Sequence, residues 1–129
     1  MLRTLCLKGT VFSGRGEGAK FINLPWVRRQ IQEQLGFFPY PGTLNMRLTE
    51  ESIRTKTFLT KAAGLKIIPS PGYYSGKLFR ARIMNVECAV IIPQVPGYSK
   101  NTIELVSSAS LKEKLDLVDG SICEVSVMI

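Results

Sequence analysis

Thr43 and Asn45, separated by Leu44 directly after the turn Pro39-Tyr40-Pro41-Gly42, set two neutral oxygen-bearing side chains at strand spacing. Residues two apart along a strand project from one face, so Thr43 and Asn45 point together while Leu44 faces the core. Two prolines and a glycine stiffen the backbone that leads into them. Oxygen donors held in this way suit a hard cation such as Mg²⁺ that also carries phosphate oxygens. A plain Pro-Gly turn opening an ordinary strand is the competing reading of the same residues.

A second candidate is Ser13-Gly14-Arg15-Gly16-Glu17-Gly18-Ala19-Lys20-Phe21, where three alternating glycines let backbone amides approach a ligand closely. Such amides form anion-binding concavities, and Arg15 and Lys20 add positive charge beside a phosphate. The segment matches neither the P-loop nor the dinucleotide-binding fingerprint. A flexible hairpin is its alternative.

The chain of 129 residues contains no histidine, which removes Ser-His and Cys-His catalysis and most zinc chemistry. A net charge of +7 calls for an anionic partner. The basic residues are spread over different elements, with no RNP-type strand or aromatic array, so nucleic acid is not the expected partner. Cys6, Cys88 and Cys123 are far apart and flanked by apolar residues, as reduced core thiols of a cytoplasmic protein would be. No apolar run approaches the ~18 residues of a membrane span, and Arg3 and Thr4 interrupt any leader. The expectation is one domain over 1–129.

The elements that must hold the candidate residues follow from periodicity. Residues 2–12 alternate, with Leu5, Leu7, Gly9 and Val11 on one side, and predict a strand. The glycine segment then breaks regular structure. Pro25 opens and Gly36 stops a helix over 26–35, where Trp26, Val27, Ile31 and Leu35 recur at helical spacing. Further strands are predicted over 43–48, 77–84, 86–93, 102–106 and 122–129. Thr49 caps a short helix running toward Thr57, and Ser110 with Glu113 forms a capping box for a helix over 110–117. About six strands with two or three short helices predict a mainly β, closed six-stranded barrel, since closure removes edge strands.

Gly14-x-Gly16-Glu17-Gly18 with Phe21, Leu24-Pro25, and Leu35-Gly36-Phe37-x-Pro39-Tyr40-x-Gly42-Thr43-Leu44-Asn45 are followed by Val90-Ile91-Ile92-Pro93, Ile103-Glu104, and Leu111-Lys112-Glu113-x-Leu115 with Asp119-Gly120. In this order the motifs resemble the archaeal CTP-dependent riboflavin kinase family, firmly over 9–48 and 90–126 and loosely over 49–89. The resemblance implies a cradle-loop β-barrel related to riboflavin synthase and the reaction CTP + riboflavin → CDP + FMN. It implies that Arg15, Gly16, Glu17, Gly18, Ala19 and Lys20 wrap the nucleotide and that Ala109, Ser110, Leu111 and Lys112 complete its site. It implies further that Thr43 and Asn45 hold Mg²⁺ and that Ser99 and Glu104 contact the flavin. Lys112 stands where the family commonly has arginine, giving a point charge in place of a bidentate fork. Arg15 stands at a position that is often apolar.

Phosphoryl transfer needs positioning and charge neutralisation, which a site without histidine supplies. Glu104 is the candidate catalytic residue, placed to orient and deprotonate the ribityl 5′-hydroxyl; a solvent-facing strand carboxylate is the bland alternative. Ser99 reads equally as a loop hydroxyl, and Tyr98 as a stacking partner of the flavin ring or an exposed loop tyrosine. The expected protein is a cytoplasmic monomer that binds CTP/CDP and riboflavin/FMN, without the N-terminal DNA-binding domain that some members carry. A basic nucleic-acid-binding barrel and a non-catalytic flavin-binding module are the rival functions.

Overall fold

A computed structural model describes residues 3–14 and 16–129. Among them are seven strands: β1 (Thr4–Phe12), β2 (Leu44–Leu48), β3 (Leu65–Ile67), β4 (Gly76–Ile83), β5 (Val86–Pro93), β6 (Thr102–Val106) and β7 (Ile122–Met128). Four helices lie between them: α1 (Glu17–Ile22), α2 (Pro25–Leu35), α3 (Glu50–Lys61) and α4 (Leu111–Lys114). All strand pairings are antiparallel, in the order β4-β5-β6-β2-β1-β7, and β7 returns to β4 through Ala81–Ile83 against Val125–Val127. The six expected strands therefore close on themselves. The seventh, β3, covers the other half of the same β4 edge, pairing Leu65–Ile67 with Gly76–Leu78.

Alternation decides what each face buries. Leu7 and Val11 of β1, Met46 of β2, Ile103 and Leu105 of β6 and Val125 and Val127 of β7 fill the barrel interior. A second core lies outside the wall, where Val27, Ile31 and Leu35 of α2, with Phe21 and Ile22 of α1, cover Ile67, Leu78, Ala89, Ile91 and Val106. Strand β5 is thus buried on both faces, which is why its sequence runs apolar without alternation.

Several boundaries differ from the sequence reading. The glycine segment does not stay irregular: Gly16, at φ +78°, caps the six-residue helix α1, a conformation open to glycine at little cost. Helix α3 runs to Lys61, beyond Thr57, because Leu59 continues its buried stripe; Thr49 caps it through an Oγ that accepts the Ser52 N–H at 3.2 Å. Helix α4 stops at Lys114, capped by Ser110 through the Glu113 N–H at 3.3 Å. Met84 belongs to a hairpin turn, since Met84 and Asn85 both have positive φ and Ile83 pairs with Val86, the geometry of a two-residue primed turn. Cys6 is exposed on the outer face of β1, while Cys88 and Cys123 are buried as expected. No helix is long and apolar enough to cross a membrane among the described residues.

Candidate active site

The candidate residues meet on the outer face of the barrel wall, beneath α1. Phe12 of β1 pairs with Asn45 of β2, Asn45 with Glu104 of β6, and Glu104 with Ile91 of β5, so one row of side chains crosses four strands. Leu44 is buried in the core and Thr43 and Asn45 share the outer face, as strand spacing predicts. The turn before them is pinned by Arg28, whose guanidinium donates to the Pro39 carbonyl at 3.0 Å and to Asn23 Oδ1 at 3.1 Å. Asn23 in turn donates to the Pro41 carbonyl at 2.9 Å.

Glu104 is only 3% exposed, which rules out the solvent-facing alternative. The Gly18 N–H forks to its two carboxylate oxygens at 3.0 and 2.9 Å. Thr43 Oγ donates to Oε1 at 2.7 Å and the Tyr98 hydroxyl donates to Oε2 at 2.5 Å. A buried carboxylate without a contacting cation is tolerated because these donors replace its water. Burial and the Glu104 charge push the Tyr98 phenol well above its ordinary value, so it remains a donor. Tyr98 is therefore no exposed loop residue but a partner of the buried acid.

The glycines fit tightly around this row. A Cβ on Gly18 would collide with the Glu104 carboxylate, and one on Gly14 with the Asn45 side chain. Alanine normally favours a helix over glycine by about 1 kcal/mol. At Gly18 the collision reverses the sign, and Gly18→Ala is expected to lower unfolding free energy by about 2 kcal/mol in urea titration. The Gly18 amide is also not open to a phosphate, since Glu104 already accepts it. Arg15 lies outside the described residues.

Four cavities open around these groups. A polar one of about 260 Å³ is bounded by Gly14, Glu17, Asn45, Arg47, Ser99 and Glu104 among others. Next to it, an apolar one of about 320 Å³ is walled by Phe21, Tyr73, Tyr74, Val95 and Tyr98, with Glu17 and Lys20 at its edge. Edge contacts of Trp26 with Phe21 and Tyr73, at 6.0 and 5.6 Å between ring centres, hold this aromatic wall. A small cavity of about 110 Å³ joins Thr43 to Ala109, Ser110, Leu111 and Lys112. The last, of about 520 Å³, lies behind Tyr98 against α3. Lys112 is held by Asp119 at 2.9 Å, and Ser13 donates to the same carboxylate at 2.8 Å. The Lys112 and Ser13 hydrogen bonds keep the Asp119 carboxyl below its ordinary range. The start of the glycine segment is thereby tied to the 109–112 turn. The structure thus gathers Glu17, Gly18, Thr43, Asn45 and Glu104 at one place, Ser99 at the rim of the polar cavity, and 109–112 beyond Thr43.

Among the described residues no three His, Cys, Asp or Glu side chains gather to cage a metal. Thr43 Oγ keeps lone pairs free because it spends its proton on Glu104, and Asn45 offers a second neutral oxygen beside the polar cavity. That donor set fits a divalent cation that takes its remaining ligands from water and phosphate.

The sequence reading missed Lys56. It is 3% exposed, and its Nζ donates to the carbonyls of Ser99 at 2.5 Å and Thr102 at 2.7 Å, 5.2 Å from the Tyr98 ring centre. The available signal was its position in α3, where Ser52, Lys56 and Leu59 share one buried stripe. Burial pulls the Lys56 pKa down from 10.5 to about 8, partly offset by the Glu104 charge. The unfolded chain then holds more protons between these values, so the Lys56 contribution to stability rises as pH climbs from about 8 toward 10.5. In Lys56→Met that rise is expected to disappear, as urea titrations at about pH 7 and about pH 10 would register.

The model of the CTP-dep_RFKase family, described as "Domain of unknown function DUF120", matches residues 11–127. A protein of Archaeoglobus fulgidus named riboflavin kinase is 38% identical over 130 residues, covering 98% of this chain and 56% of its own length. One of Pyrobaculum aerophilum with the same name is 37% identical, covering 99% of this chain and 63% of its own. One of Ignicoccus hospitalis, also named riboflavin kinase, is 40% identical, covering 97% and 72%. The chain spans less than two thirds of the first two relatives. With the family model matched over most of the chain and these relatives 37–40% identical, this chain belongs to the CTP-dependent riboflavin kinase family.

Proposed function

We propose that the chain phosphorylates riboflavin, moving the γ-phosphoryl group of CTP to the ribityl 5′-hydroxyl and releasing FMN and CDP. The observation that carries this reading is the place of Glu104, a buried carboxylate beside two neutral oxygen donors, where an aromatic-walled cavity meets a polar one. The flat flavin ring suits the apolar cavity of Phe21, Tyr73 and Tyr74. Its ribityl chain then runs past Glu17 toward Glu104. The nucleotide lies along the glycine segment and the 109–112 turn, its phosphates above Asn45 and Thr43.

Thr43 and Asn45 would hold Mg²⁺, which when bound supplies charge neutralisation on the transferring phosphoryl group. Glu104 accepts the proton of the 5′-hydroxyl as the oxygen–phosphorus bond forms. The bond from γ-phosphorus to the bridging oxygen breaks, and CDP leaves with that electron pair. Lys112, held by Asp119, borders the small cavity beside Thr43 along the phosphate path.

The test is incubation of the purified chain with Mg²⁺, riboflavin and each nucleoside triphosphate in turn, with FMN resolved by chromatography. FMN is expected, and best with CTP. No FMN from any triphosphate would refute the reading, and flavin quenching indifferent to CTP would favour the binding module instead.

A further inference from the structure

Glu104 is buried, with donors laid against both of its oxygens. The single Gly18 N–H bridges both oxygens, Thr43 donates to Oε1 and Tyr98 to Oε2, and only 3% of the residue is exposed. A substrate hydroxyl that is to meet this carboxylate must therefore replace one of them. Gly18 donates from the backbone of α1, and Thr43 stands on the pinned turn before β2. Neither can withdraw without unpicking its element. Tyr98 is different, because it sits in the connection between β5 and β6, outside any helix or strand.

The position of its ring makes the same point. Tyr98 is the wall common to the aromatic cavity, the polar cavity and the one of about 520 Å³ behind it. While its hydroxyl rests on Glu104, the ring separates the space for a flat aromatic ligand from the space beside Asn45. A shift toward the rear cavity would join the two. That cavity is bounded by Lys56, Pro96 and Lys100, so the ring has room to enter, and the Lys56 ammonium already lies over it at 5.2 Å.

We propose that the Tyr98 hydroxyl stands in for the acceptor hydroxyl of riboflavin on Glu104, and that flavin binding requires Tyr98 to yield this place. This rests on Glu104 receiving the flavin hydroxyl, as argued above. Tyr98 is a positioning residue in this scheme: it keeps the buried acid satisfied while the site is empty, and competes with the ligand for it. Competition of this kind lowers apparent affinity by the fraction of molecules in which Tyr98 has moved away.

The experiment compares wild type with Tyr98→Phe, which keeps the ring and removes only the competing hydroxyl. Riboflavin affinity is read by fluorescence quenching, KM by FMN formation, and folding by thermal denaturation. Tyr98→Phe is expected to bind riboflavin on the order of ten-fold more tightly, with KM lowered in step. Weaker binding would show that the hydroxyl helps hold the ligand or Glu104, and unchanged binding that it never has to leave; either overturns the proposal. If wild type makes FMN and Tyr98→Phe gives either result, only this inference fails. If wild type neither binds riboflavin nor makes FMN, the functional reading fails with it.

Discussion

Glu104→Gln is expected to reduce kcat for FMN formation by about 10³-fold, the range for loss of a positioned general base. The substitution keeps the shape and removes the charge, but it also places an amide donor where three donors converge. The Thr43 and Tyr98 hydroxyls can rotate to accept from that amide. The Gly18 N–H cannot, and it spans both oxygens. One donor is left facing another, at a cost of about 1–2 kcal/mol in stability. The protein therefore stays folded while turnover collapses, and urea titration beside a steady-state assay separates the two effects. A variant retaining more than about a tenth of wild-type kcat would remove Glu104 from the chemistry.

Asn45→Ala is expected to raise the Mg²⁺ concentration for half-maximal activity on the order of 100-fold, the scale on which metal sites lose affinity when their surroundings are altered. Its backbone pairing with Phe12 and Glu104 does not involve the side chain, so the sheet persists. The gap left beneath Gly14 is small and beside the polar cavity, where water fills it. Rescue by excess Mg²⁺ distinguishes a lost ligand from a damaged fold, because a damaged site would not recover with metal. Activity that stays flat across the titration would argue against a cation at this position.

The Glu104 effect and the Tyr98 proposal converge on one carboxylate and the donors around it. Basic side chains are distributed in the same economical way: Lys56 holds the 99–102 backbone, Arg28 holds the 39–41 turn, and Lys112 is paired with Asp119. A net charge of +7 therefore overstates the charge free to meet a nucleotide.

The amino-acid sequence alone determined the six barrel strands, helix α2 with its proline start and glycine stop, the common face of Thr43 and Asn45, and the family. Those features are local: alternation, capping and turn chemistry act within a few residues, and a motif set in order needs no contact information. Helix α1 and strand β3 were not legible, because α1 is six residues in a glycine-rich segment of weak propensity made helical by the core beneath Phe21 and Ile22, and β3 is three residues that pair with β4. Tertiary structure alone decided that Glu104 is buried, that Gly18 and Tyr98 bond to it from 86 and 6 residues away, and that Lys56 lies beneath the same loop. Burial of a polar group is set by what the rest of the chain lays over it, and a strand of alternating residues carries no record of that cover.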